Sequence, residues 1–158
     1  MRKIISYILT ILLLSTTACA NGSRGIKLSD KGELSNMKIS IQITSDSGKS
    51  ELTATLVDNS SATAFYELLK KGPLTVDMHD YGSFEKVGSL GTRLPRNDTQ
   101  ITTTAGDIIL YQGNQITIYY DTNSWNFTRL GKVDGVTQAE LKKILGKGDV
   151  SAVFEILK

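Results

Sequence analysis

The chain has 158 residues, of which 40% are hydrophobic and 22% are charged, proportions typical of one ordinary globular domain and not of a disordered chain. Without Arg2 and Lys3, which belong to the leader described next, the 18 basic side chains become 16 and equal the 16 acidic ones. The basic residues are also scattered along the chain. We therefore expect no nucleic-acid partner, since no basic field is available to attract one.

The first predicted element is a secretory leader. Arg2 and Lys3 precede a mainly apolar run over residues 4–14, and small residues follow it. Eleven residues form a helix of roughly 16 Å, which is too short to cross the hydrocarbon core of a bilayer. A charged start, a short apolar stretch and a small-residue exit are typical of a cleaved signal, so the sequence predicts export.

Two cleavage sites compete at the end of this leader. In "TTAC" the single cysteine, Cys19, follows three small residues, which resembles the bacterial lipoprotein signal that is cut before a lipidated cysteine. Thr16 stands where that signal usually has leucine. The rival is the A-x-A sequence "ACA", which would release a soluble periplasmic or secreted protein starting at Asn21. We favour a signal over residues 1–18 and a cell-envelope lipoprotein whose partner is the membrane, with cleavage after residue 20 as the alternative.

A polar, aperiodic segment separates the leader from the predicted domain. Residues 19–36 predict a flexible tether, and the domain is expected over residues 37–158. Apolar residues alternate in "MKISIQIT" and again in "ELTATL", which predicts a strand hairpin. "DNSSATAFYELLKKG" then has helical spacing, with Asn59 or Ser60 as the cap and Gly72 after its end.

The second half of the chain is predicted to be mostly β-structure. "LTVDM" indicates a strand, and residues 79–105 are too long for a plain loop and should contain short strands or carry function. "GDIILYQGNQITIYYD" predicts a hairpin whose turn is Gly113-Asn114, which would place Ile109 opposite Ile118. "TQAELKKIL" has capping-box spacing, and "VSAVFEIL" alternates as a final strand. These elements, without a βαβ rhythm, predict a mainly β fold: a closed or nearly closed antiparallel barrel with two short helices.

An ordered set of segments carries a resemblance to a known family. "MKI", "ATLVDNSSATAFYELL", "DYGSFEKVGSL", "AGDIILYQGNQITIYY" and "FTRLGKVDG" are together similar to the bacterial cyclophilin-like domain family. The resemblance implies a cyclophilin-type β-barrel whose ends are closed by helices. It implies no activity, because the family is largely uncharacterised.

True cyclophilins isomerise prolyl bonds with an arginine that donates a hydrogen bond near the prolyl nitrogen. A donor there favours loss of planarity and so lowers a barrier of about 18–20 kcal/mol. The characteristic run that carries this arginine is absent here. Arg93 in "GTRLPR" and Arg129 in "FTRLG" are the available substitutes, so catalytic residues stay unassigned and weak prolyl isomerisation of exported proteins stays an alternative function.

The clearest candidate site is in "YYDTNSWNFTRLG". In a strand, Trp125, Phe127 and Arg129 share one face with Gly131 and Val133, and two rings beside an arginine can bind a flat or extended ligand. Alternatively, the rings complete the barrel core while Arg129 reaches its rim and pairs with a carboxylate. The alternation of the three tyrosines of "LYQGNQITIYY" between faces favours core and wall over a stacking platform.

A second candidate cluster is "MHDYGSFEKVG", whose polar residues can form a patch at a barrel mouth. Tyr81 and Glu85 are candidate ligand contacts. Alternatively, the residues of this segment form turns and surface ion pairs, each of which contributes under about 1 kcal/mol to stability. With one histidine and no cysteine in the domain, we expect no metal and no cofactor. Arg93 and Arg96 can bind an anion together, or they can be exposed to solvent without a ligand.

The sequence thus predicts an exported binding or interaction module whose groove holds a peptide, a protein or a small molecule. The candidate ligand contacts are Tyr81, Glu85, Arg93, Trp125, Phe127 and Arg129, and the predicted lipidation site is Cys19.

Overall fold

The computed structural model describes residues 37–158, so the predicted leader, the tether and Cys19 lie outside the described residues. The described part contains nine strands and two helices. Their bounds are β1 Lys38–Ser45, β2 Gly48–Leu56, α1 Ser60–Leu69, β3 Leu74–Tyr81, β4 Glu85–Ser89, β5 Thr99–Thr102, β6 Asp107–Tyr111, β7 Gln115–Tyr119, β8 Ser124–Val133, α2 Gln138–Leu145 and β9 Val150–Ile156. Neither helix in this range is long and apolar enough to cross a membrane.

Eight of the strands close into an antiparallel barrel. Their order is β2-β1-β9-β3-β4-β7-β6-β8, and β8 returns to pair with β2. The closing pairs set Ala54 against Val133 and Leu56 against Gly131. β5 stays outside the ring and pairs with the first part of β8. The predicted closed barrel with two short helices is confirmed, and closure removes the sheet edges that an open antiparallel sheet would expose.

The barrel interior and the helices share one hydrophobic core. Ile39, Ile41 and Ile43 alternate into it from β1 and are at most 1% exposed. From α1, the ring of Phe65 meets that of Phe154 edge-on with centroids 5.8 Å apart. Burial of each such side chain contributes about 1.5–3 kcal/mol relative to exposure, so this core is the main stabilising element.

Both helices begin at the residues that the sequence predicted. The side chain of Asn59 accepts a hydrogen bond from the Ala62 amide at 2.7 Å and donates one to the Arg129 carbonyl at 2.8 Å, which ties α1 to β8. Thr137 and Glu140 form the predicted capping box of α2. Each cap satisfies amide groups that the first helical turn leaves free.

The predicted register of the β6–β7 hairpin is wrong by one residue. The strands pair Ile109 with Thr117 and Tyr111 with Gln115, so the loop comprises residues 112–114 and not Gly113-Asn114 alone. Gln112 and Gly113 both have positive φ, at 51° and 79°. Because strand side chains alternate, this shift moves residues to the other face of the wall.

Candidate functional site

A groove of about 470 Å³ lies on the outer face of the barrel wall formed by β3, β4, β7, β6 and β8. The side chains that line it combine aromatic rings with a few polar groups. They are His79, Tyr81, Phe84, Glu85, Val87, Tyr111, Gln115, Tyr119, Asn123, Trp125 and Phe127. A concave, mostly apolar surface with few polar groups is the usual form of a ligand site.

The floor of the groove is a second hydrophobic cluster, separate from the barrel core. Ile109, Tyr119 and Phe127 are at most 3% exposed, and partly buried Phe84, Ile101 and Tyr111 pack against them. β5 contributes Ile101, which pairs with Trp125 of β8. The wall is therefore apolar on both faces, as the sequence of the β6–β7 hairpin indicated.

Five aromatic rings form a continuous chain along this floor. Tyr81 meets Phe84 edge-on at 5.9 Å, and Phe84 stacks on Tyr119 at 6.0 Å with an interplanar angle of 12°. Phe127 then contacts Tyr119 at 5.7 Å and Tyr111 at 6.4 Å. These separations are those of favourable aromatic pairs, so each ring fixes its neighbour.

Two large aromatic side chains stand at the groove without being covered. Tyr81 is 58% exposed and Trp125 is 62% exposed. Exposed aromatic surface beside a cavity is available for stacking on a ligand.

Glu85 is the charged group of the groove, and it is almost completely buried. Its residue is 8% exposed, and it lies directly opposite Tyr119 in the β4–β7 ladder. Burial raises the pKa of Glu85, and this effect outweighs the lowering by the Tyr119 and Thr117 hydroxyls and by His79. Its Oε2 atom has no hydrogen-bond partner among residues 37–158.

Two hydroxyl groups accompany this carboxyl on β7. Thr117 is 1% exposed, and its Oγ1 atom is near Glu85 without meeting hydrogen-bond geometry to any described residue. Burial and the Glu85 carboxyl raise the pKa of Tyr119, so its hydroxyl stays protonated and able to donate. Buried polar atoms are nearly always paired in native proteins, and an unpaired group costs about 1–3 kcal/mol.

The polar residues of "MHDYGSFEKVG" are divided between the two faces of the wall. Residues 82–84 form a turn, as one alternative anticipated, but the expectation of surface ion pairs is wrong for Lys86, which is fully buried. Asp80 belongs to β3 and Lys86 to β4, and alternation along the strands sends both to the face opposite Glu85. Lys86 is 0% exposed and donates to Asp80 Oδ1 at 2.8 Å and to the Gly148 carbonyl at 2.7 Å. The Tyr120 hydroxyl also donates to Asp80.

The two arginines of the sequence prediction lie outside the groove lining. Arg129 pairs with Asp107 at 3.1 Å, the carboxylate pairing that one alternative anticipated. Arg93 donates to the Gln112 carbonyl at 3.0 Å from an exposed loop. Arg96, its neighbour in that loop, pairs with Asp98.

The predicted face of β8 holds only in part. Trp125 and Phe127 both line the groove, but neither belongs to the barrel core, so the alternative that the rings complete that core is wrong. Val133 is in the core, because a bulge in the β6–β8 pairing adds a residue near Leu130 and reverses the alternation.

Of the six predicted ligand contacts, the structure brings four together in the groove: Tyr81, Glu85, Trp125 and Phe127. The sequence interpretation missed Tyr111 and Tyr119, which share the outer face, whereas Tyr120 is in the barrel core. The three-residue hairpin loop sets both tyrosines on one side, and the apolar pattern of the two strands does not distinguish this loop from a two-residue turn. No group of three or more metal-binding side chains is assembled within residues 37–158.

Comparison with known proteins gives the class to which this barrel belongs. A family model described as the cyclophilin-like family matches residues 45–155, and the chain belongs to that family. Among solved structures, it is similar to the solution structure of the hypothetical protein AF2241 from Archaeoglobus fulgidus. That similarity has a TM-score of 0.53 and 14% identity, and it covers 77% of this chain and 96% of the other, which supports the fold alone. No curated protein matches the chain.

Proposed function

We propose that this protein is an exported, lipid-anchored binding module whose outer-wall groove holds a peptide or small-molecule ligand. The observation that carries the proposal is the aromatic groove, beneath which Glu85 Oε2 and Thr117 Oγ1 have no hydrogen-bond partner among residues 37–158. Unpaired buried polar atoms lower stability, and a ligand that satisfies them would gain affinity.

The binding part of the proposal is tested by saturation-transfer NMR on purified full-length protein. The probes are a fragment set of amines, carboxylic acids and neutral aromatics, together with short peptides. Gln115→Trp should abolish transfer, because the indole would fill the groove that Gln115 lines. Gln100→Trp is the matched control, since Gln100 is exposed on β5 and away from the lining. Transfer that survives Gln115→Trp would contradict the proposal.

The alternative, divergent prolyl isomerisation, needs a strong donor at the prolyl nitrogen. Both candidate arginines are engaged outside the groove, and the residues that line it include no arginine or lysine. We therefore expect a protease-coupled proline assay to show no acceleration at high protein concentration. Acceleration that is lost in Arg93→Ala or Arg129→Ala would favour the enzyme instead.

The anchoring part of the proposal rests on the sequence around Cys19. Several acyl chains together would hold the protein stably at a membrane, at about 0.8 kcal/mol per buried CH₂. Labelled palmitate should be incorporated into the protein in a bacterial host, and Cys19→Ser should abolish the label. Absence of label, or label that is insensitive to this substitution, would favour the soluble form starting at Asn21.

A further inference from the structure

Glu85 is a buried carboxyl that forms no salt bridge within residues 37–158. By contrast, every other carboxylate near the barrel wall described above has a basic partner: Asp80 pairs with Lys86 and Asp107 with Arg129. A buried carboxylate is normally paired with a cation or held by several donors. The Tyr119 and Thr117 hydroxyls lie near the Glu85 carboxyl, but its Oε2 atom has no hydrogen-bond partner among residues 37–158. We infer that the missing partner has the chemistry of a cation with N–H donors.

The surroundings of this carboxyl suit the same chemistry. Tyr81, Phe84 and Trp125 line the same groove, and the faces of aromatic rings attract cations within about 6 Å. Thr117 Oγ1, which also has no hydrogen-bond partner in the described part of the chain, offers a further acceptor on the neighbouring strand. No lysine or arginine among the lining residues would repel a cationic ligand, and His79 is the single basic group there.

We propose that the groove selects ligands that carry a primary ammonium or guanidinium group, which pairs with the Glu85 carboxylate between the aromatic walls. This inference rests on the proposed function and specifies its ligand class. The same cation can belong to a basic side chain of a peptide or to a free polyamine. The aromatic chain then holds the aliphatic part of the ligand.

Trp125 provides the signal for a direct test. It is the only tryptophan of the chain and lies in the groove wall, so its emission reports on binding there. Purified full-length protein is titrated with acetyl-Gly-Lys-Gly-amide and with the same peptide containing norleucine, which lacks the amine. Cadaverine and pentanol form the matching pair of small molecules. We expect each amine to bind at least about tenfold more tightly than its neutral counterpart, since hydrogen bonds to charged groups are the strong ones. The pair with the larger ratio identifies the source of the cation.

Two variants connect this selectivity with Glu85. Glu85→Gln keeps the shape of the side chain and should reduce the ratio between the affinities for amine and neutral ligand to about one. Thr117→Val should weaken amine binding several-fold. Glu67→Gln is the matched control, because Glu67 is exposed on α1 and away from the groove. It should leave the ratio unchanged.

The outcomes separate the two proposals. Equal affinity for amine and neutral ligands, or selectivity that persists in Glu85→Gln, overturns the cation inference and leaves the binding module standing if fragments still occupy the groove. Absence of saturable binding by all four probes also overturns the inference. Absence of saturation transfer from the wild-type protein to every fragment and peptide contradicts the proposed function itself.

Discussion

At the scale of single residues, Glu85 imposes a cost on the fold that the proposed ligand would relieve. Its neighbours with titratable groups are His79 and Tyr81 from β3 and Tyr119 from β7. Burial raises the pKa of Glu85 above its ordinary value of 4.5. The stability that the protonated carboxyl contributes is therefore fully present below pH 4.5. The contribution is lost as the pH rises through the raised pKa, when the carboxyl must ionise without a partner.

Replacing Glu85 by glutamine should therefore stabilise the protein at neutral pH. Glutamine cannot ionise, so we expect a melting temperature roughly 2–5 °C above that of the wild type at pH 7 and no difference below about pH 4. Thermal unfolding followed by circular dichroism across this range measures the difference. A variant that is less stable at pH 7 would show that Glu85 supports the fold rather than a site.

Asp80 stabilises the fold when it is ionised, because its carboxylate compensates the buried charge of Lys86. Burial, its largest single influence, raises the pKa of Asp80, but the hydrogen bonds from Lys86 and Tyr120 together hold it below 3.8. Its stabilisation is thus present above that ordinary value and is lost as the pH falls through the lowered pKa.

Asp80→Asn should lower the free energy of unfolding by about 3 kcal/mol at pH 7, since Lys86 would stay buried with the Gly148 carbonyl as its remaining strong partner. Denaturant unfolding measures this change. The difference in free energy of unfolding between wild type and Asp80→Asn should become smaller below pH 3.8, as Asp80 becomes protonated in the wild type. Asp77→Asn, on the exposed side of the same strand, should change stability by under about 0.5 kcal/mol. Equal stabilities of Asp80→Asn and wild type at pH 7 would refute this role for the pair.

At the scale of elements, the barrel closes through a glycine in β8. A Cβ atom on Gly131 would lie 2.6 Å from the Thr55 carbonyl oxygen and 3.0 Å from Leu56 Cα, both backbone atoms of β2. The β2–β8 pairing therefore requires a residue without a side chain at this position.

Gly131→Ala should lower the free energy of unfolding by about 2 kcal/mol or more, because the backbones must separate at the closing pair. Chemical denaturation of the full-length protein provides the measurement. Gly148→Ala is the matched control, since no atom of residues 37–158 lies within 4 Å of its added Cβ, and we expect a change below about 0.5 kcal/mol. Similar stabilities for the two variants would mean that the closure is looser than the structure indicates.

The helices and strands also show which parts of the fold can be predicted from the sequence. Alternation in β1, β2 and β9 and the caps of both helices are local signals, and they predicted those elements correctly. The register of β6 and β7 depends on which loop residues adopt positive φ, and a pattern that is apolar on both faces does not determine it. The predicted positions of Tyr111 and Tyr119 were wrong for this reason.

At the scale of the whole molecule, the groove joins parts of the chain that are distant in sequence. Tyr81 and Glu85 come from β3 and β4, whereas Trp125 and Phe127 come from β8, and β7 and β6 lie between them in the sheet. Residue type marked both pairs as candidate contacts. Their shared groove follows from the strand order, which composition and periodicity do not contain.

Amide chemical-shift mapping of the isotope-labelled full-length protein during titration with acetyl-Gly-Lys-Gly-amide tests the central claim most directly. We predict saturable shifts for Tyr81, Glu85, Tyr119 and Trp125 and their disappearance in Glu85→Gln. Shifts centred on the shallower hollow that Gln42 and Lys49 line on β1 and β2, or no saturable shifts at all, would contradict it.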